Sequence, residues 1–115
     1  MFKTKDSIFP SNTHNSIGAG TIIRGELIVE EDIRIDGKIE GNIDCKGKVV
    51  IGAHAKIIGN IRCVDADLMG TIQGDMDVED TLSLRASVVF QGKVITKNLE
   101  IEPGATFNGS CEMRS

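Results

Sequence analysis

Apolar residues return in fixed columns along this chain. Two positions before Gly25, Gly41, Gly59, Gly74, Gly92 and Gly109 stand Ile23, Ile39, Ile57, Ile72, Phe90 and Phe107. Two positions after the same glycines come Leu27, Ile43, Ile61, Met76, Val94 and Cys111. Four positions after come Val29, Cys45, Cys63, Val78, Thr96 and Met113. The residues between are mostly polar, as in Ile39-Glu40-Gly41-Asn42-Ile43-Asp44-Cys45. Alternation of period two marks a strand with one buried and one solvated face. A second apolar pair precedes most units: Ile33 and Ile35, Val49 and Ile51, Ala66 and Leu68, Leu82 and Leu84, Leu99 and Ile101. Each repeat of 15–18 residues therefore supplies about three short strands. They bend at corners where glycine tolerates unusual φ.

Strands this short cannot build a hairpin sheet at that period. Coiling them, so that each strand pairs in parallel with its copy one turn later, satisfies the backbone and stacks the columns. The pattern predicts an all-β parallel β-solenoid of about six turns with a triangular core, spanning residues 17–115. At ~4.8 Å per turn it would be a rod of ~29 Å. One connector varies by two residues, long in Ile51-Gly52-Ala53-His54-Ala55-Lys56-Ile57 and short in Ile35-Asp36-Gly37-Lys38-Ile39. A change of two keeps the inward and outward phases. The outward column Asp44, Arg62, Asp77 predicts an alternating charge ladder on a solvated face. Residues 1–16, with Ser7, Pro10, Ser11, Asn12 and Thr13, are expected to be a flexible tail.

Composition agrees with a thin aliphatic core: there is no Trp or Tyr, and 4 Phe stand against 13 Gly. A net charge of −4 without a basic stripe argues against nucleic acid as a partner. The start, Met1-Phe2-Lys3-Thr4-Lys5-Asp6, has no secretory h-region, and 3 Cys fit no disulfide framework. A cytoplasmic protein is expected.

Three sets of residues are candidates for chemistry. Cys45 and Cys63 share an inward column on adjacent turns, where a disulfide or metal pair is conceivable. They have no His or carboxylate beside them in the inward positions, so core thiols are expected. His54 in a corner loop resembles the general base of hexapeptide-repeat acyltransferases, which form discrete trimers. The spacing here, however, is not hexapeptide. The 17 Asp and Glu scatter over outward columns. No catalytic constellation, metal site or cofactor is expected, and a monomeric ligand-binding β-helix is a third alternative.

The ends of the solenoid carry the strongest functional signal. The last turn presents Leu99, Ile101, Phe107, Cys111 and Met113, with only Arg114 and Ser115 following. The first presents Ile17, Ile23, Leu27 and Val29. Unpaired strand edges and open core layers invite association. Covering four or five such side chains contributes roughly 6–15 kcal/mol, against an association cost on the order of 4–15 kcal/mol. Ladder bonds across the junction tip that balance, and two such ends per subunit make a filament.

The stretch Ile-Arg-Ile-Asp-Gly-Lys-Ile-Glu-Gly-Asn-Ile (33–43), followed by Val-Val-Ile-Gly-Ala-His-Ala-Lys-Ile-Ile-Gly-Asn-Ile (49–61), resembles the bactofilins, bacterial cytoskeletal proteins. The resemblance covers about residues 17–113. It implies a right-handed β-helix and nucleotide-independent, non-polar filaments with like ends meeting. It also implies a peripheral position at the inner face of the cytoplasmic membrane, where filaments organise cell-shape or cell-wall enzymes. Met1, Phe2, Lys3 and Lys5, with Ile8 and Phe9, look like the family's membrane-attaching start. Against that resemblance the chain is expected to lack the disordered C-terminal tail of many members, which puts partners recruited by such tails in doubt.

Overall fold

A computed structural model describes residues 14–114. The chain coils through six turns of parallel strands. The first turn is β1 (His14–Ile17), β2 (Ile22–Arg24) and β3 (Leu27–Val29). The second is β4 (Asp32–Ile35), β5 (Lys38–Glu40) and β6 (Ile43–Cys45). The third is β7 (Lys48–Ile51), β8 (Lys56–Ile58) and β9 (Ile61–Cys63). Then β10 (Asp65–Leu68), β11 (Thr71–Gln73), β12 (Met76–Leu84), β13 (Val89–Ile101) and β14 (Thr106–Met113) complete the coil, the last three running through corners. Every strand pairing is parallel, each strand lying on its copy one turn away. No helix forms among the described residues.

The columns read from the sequence are the core. Ile23, Ile39, Ile57, Ile72, Phe90 and Phe107 stand in one register. Leu27, Ile43, Ile61, Met76, Val94 and Cys111 form the next. From the second to the fifth turn these columns are almost wholly buried. Thr96 is fully buried too, its Oγ1 3.1 Å from the carbonyl oxygens of Asp80 and Asn98. Its methyl thus packs inward while its hydroxyl satisfies corner backbone.

Glycine is required at one corner. Gly25, Gly41, Gly59, Gly74, Gly92 and Gly109 all hold φ between 134° and 151°, a region L side chains rarely adopt. A Cβ on Gly59 would also run into the carbonyl of Gly41 directly above it. The adjacent corner position carries a capping ladder. Asn42 Oδ1 accepts from Asn60 N (3.0 Å), Asn60 Oδ1 from Asp75 N (3.1 Å), and Asp75 Oδ1 from Lys93 N (3.2 Å). These bonds satisfy backbone donors that the turn of the chain takes out of the strand ladder.

The structure corrects the reading of the corners in two respects. The long connectors add core rather than merely bypassing it: Ala55 is 2% exposed and Val88 1%. Each follows a tight turn, Ala55 N to Gly52 O (3.0 Å) and Val88 N to Arg85 O (3.0 Å), that swings its side chain inward. Gly70, in a short connector, lies against the Gly52 and Ala55 carbonyls, where any side chain would collide. A second corner also changes length, between the Cys63 column and the strand after it. Cys45-Lys46-Gly47-Lys48-Val49 loses one residue in Cys63-Val64-Asp65-Ala66, and the register slips between Val78 and Thr81. Turn lengths of 15 to 18 residues thus combine two independent corner changes.

The outward charge ladder is in register but not paired. Asp44 and Asp77 flank Arg62 on adjacent turns, yet Asp77 bonds Arg114 and Arg62 pairs with neither acid. An alternating ladder does form elsewhere, where Arg85 bridges Asp67 (2.6 Å) on one turn and Glu102 (3.1 Å) on the next.

Candidate functional site at the solenoid ends

The C-terminal end is built by the last stretch of β13 and by β14. The Phe107 ring stacks on Phe90, centroids 5.3 Å apart and planes 21° from parallel. Phe90 is fully buried, whereas Phe107 and Leu99 are only half-buried. Ile101 and Met113 are 53% and 52% exposed. Cys111 is exposed, its Sγ 3.8 Å from Met113 Sδ. All five residues expected at this end therefore lie together in one apolar layer. Among the described residues nothing covers it. Glu100, Glu102 and Glu112 stand exposed around it.

The N-terminal end is chemically different. Ile17, Ile23 and Leu27 are half-buried and line an open hollow of about 560 Å³ with Asn15, Ile28, Glu30 and Glu31. Val29, expected here, lines the same hollow and is 6% exposed. Ile28, not expected, is 71% exposed at the rim. It stands in the outward column of Asp44 and Arg62. The strand β1 begins at His14, and Asn15 heads the column above Ile33. Met1, Phe2, Lys3, Lys5, Ile8 and Phe9 lie outside the described residues.

The candidates for chemistry separate rather than converge. Cys45 and Cys63 are buried free thiols. Cys45 Sγ donates to Glu31 O (3.1 Å) and accepts from Gly47 N (3.4 Å), so it serves its corner. Burial pushes both thiols up, away from the thiolate that metal binding or nucleophilic attack needs. His54 stands exposed in the β7–β8 corner. Among the described residues no group of three or more His, Cys, Asp or Glu is placed to hold a metal ion. No helix there is long and apolar enough to cross a membrane.

The sequence model of one family, Bactofilin, described as polymer-forming cytoskeletal, matches residues 15–112. Bactofilin BacN of Myxococcus xanthus is 34% identical over 97 residues, covering 84% of this chain and 86% of that protein. Bactofilin BacO of the same organism is 25% identical over 97 residues, covering 84% of this chain and 77% of its own. Bactofilin BacP is 23% identical over 114 residues, 98% of this chain but 48% of that longer protein. No solved structure matches. With that family's model matching residues 15–112, nearly the whole of the coil, the chain belongs to the bactofilins, a family of polymer-forming cytoskeletal proteins.

Proposed function

We propose that this chain is a structural subunit that assembles end to end into nucleotide-independent filaments. On this reading the filaments lie at the inner face of the cytoplasmic membrane and organise cell-shape or cell-wall machinery. The observation that carries the reading is the open apolar layer around Phe107. The same column is fully buried one turn earlier at Phe90, so a second subunit restores burial that the last turn lacks. Edge strands β1, β2, β3 and β14 offer backbone donors and acceptors for a continued ladder.

Like ends meeting would bring acids together, Glu30 and Glu31 at one junction, Glu100, Glu102 and Glu112 at the other. Screening by salt favours such junctions. Sedimentation and negative-stain imaging of the purified chain without nucleotide test the reading. Filaments are expected, longer at ~0.3 M than at ~0.05 M salt, because the Debye length shortens across that range. A monodisperse monomer or trimer at both salt concentrations would contradict it.

A further inference from the structure

One face of the solenoid differs from the other two in charge. Strands β2, β5, β8, β11 and the start of β13 and β14 form it. Their central residues point into the core, so the flanking ones make the outer surface. One outward column runs Ile22, Lys38, Lys56, Thr71, Val89 and Thr106. The other begins Arg24, Glu40, Ile58 and continues through Gln73, Gln91 and Asn108. Glu40 is the sole acid among these positions, and Arg24 (3.0 Å) and Lys38 (3.1 Å) both bond it. The opposite balance holds on the face of β6 and β9, where Asp44, Asp77 and Glu112 outnumber Arg62. In a chain of net charge −4, this is the one cationic face.

Two further details point outward from that face. Lys38 and Lys56 stand directly opposite each other on adjacent strands, a like-charge pair that Glu40 relieves only at Lys38. Lys56 has no ion-pair partner among the described residues. Ile22 is 59% exposed and Val89 43%, with Ile58 half-buried between them. Cations and scattered apolar side chains on one flat surface suit the headgroup boundary of an anionic bilayer. The acidic faces of a second copy fit less well. On those faces Asp36, Asp67, Asp77 and Glu102 are already bonded to Arg34, Arg85 and Arg114.

We infer that this face of the solenoid, centred on Lys38 and Lys56, lies against anionic lipid. The inference rests on the membrane-associated reading above and gives it a second contact besides the N-terminal segment. It also sets how the filament is rolled about its axis. Each subunit contributes a weak contact, and repetition along the filament makes the sum strong.

The test is co-sedimentation of full-chain filaments with vesicles of equal parts phosphatidylglycerol and phosphatidylcholine, and with phosphatidylcholine alone. The wild type is expected to bind only the anionic vesicles. K38E/K56E should lower binding at least ~10-fold while filaments persist in the images. K46E/K97E removes the same charge from exposed corners and should bind within ~2-fold of the wild type. If K38E/K56E reduces filament yield, the milder Lys56→Gln is read instead and should still weaken binding several-fold. The proposal is overturned if K38E/K56E filaments bind as the wild type does, or if K46E/K97E loses as much. It is also overturned if K38E/K56E loses only side-by-side bundling, which would make a second copy the partner. Undiminished binding by K38E/K56E leaves membrane association to the N-terminal segment. Wild-type filaments that ignore anionic vesicles remove the membrane reading itself.

Discussion

Phe107 lies over Phe90 in a nearly parallel stack, 5.3 Å between ring centroids, yet Phe90 is sealed and Phe107 is half-open. The same side chain in the same column thus does two jobs. Phe90→Ala should cost the fold about 3–5 kcal/mol, read as a lowered denaturant midpoint, because it leaves a cavity between turns. Phe107→Ala should cost the isolated subunit clearly less, while cutting filament yield more than Phe90→Ala does at temperatures where both remain folded. Equal effects of the two changes on assembly would separate Phe107 from the junction.

The glycine column should tolerate almost nothing. Gly59 holds φ near 147° and sits under the Gly41 carbonyl, so Gly59→Ala combines backbone strain with a direct collision. A loss of at least ~2 kcal/mol is expected in urea unfolding. Gly18→Ala, where an added Cβ meets nothing, should change stability by less than ~1 kcal/mol. A Gly59→Ala protein as stable as Gly18→Ala would contradict the account of that corner.

Much of this architecture is legible in the sequence. Columns such as Ile39–Ile57–Ile72 repeat once per turn, so the chain compared with itself exposes them, together with the turn count and the two apolar ends. What escaped depends on a single corner's geometry. The inward turn of Ala55 and Val88 is hidden because single small or β-branched side chains in a connector carry no periodic signal. The one-residue loss at Cys63-Val64-Asp65 hid inside a larger change of two residues in the same turn. Arg62 looked like the centre of a charge ladder because register was legible, whereas the reach of its side chain was not. The pairing of Asp77 with Arg114 links turns that sequence spacing alone does not relate.

The cysteines should prove replaceable. Cys63 is 1% exposed among aliphatic groups, so Cys63→Ala should cost roughly 1–2 kcal/mol of stability through lost packing. Filaments of that variant should form normally, with or without reductant. Stoichiometric zinc in the purified wild type, or loss of filaments on reduction, would restore a chemical role to the thiols.

Acid should weaken the fold through Asp67. The hydrogen bond from the Arg85 guanidinium holds the Asp67 carboxyl below the ordinary carboxylate range, despite partial burial pushing the other way. A carboxyl depressed in the folded state contributes stability above its unfolded pKa of about 3.9, and that contribution is lost as pH falls through the folded value. The denaturant midpoint should therefore drop below about pH 4, and Asp67→Asn should shrink the drop. An identical pH profile in Asp67→Asn would show that other groups govern it.

The central claim, that this chain polymerises through its open ends, is tested most directly by one charge in the Phe107 layer. Phe107→Arg places a guanidinium where the junction would bury it without a partner, a costly position. The measurement is sedimentation followed by negative-stain imaging of wild type and variant side by side, with far-ultraviolet circular dichroism to confirm the fold. Long filaments are expected for the wild type and short, non-pelleting species with unchanged β signal for Phe107→Arg. Long filaments formed equally by both proteins would contradict the central claim.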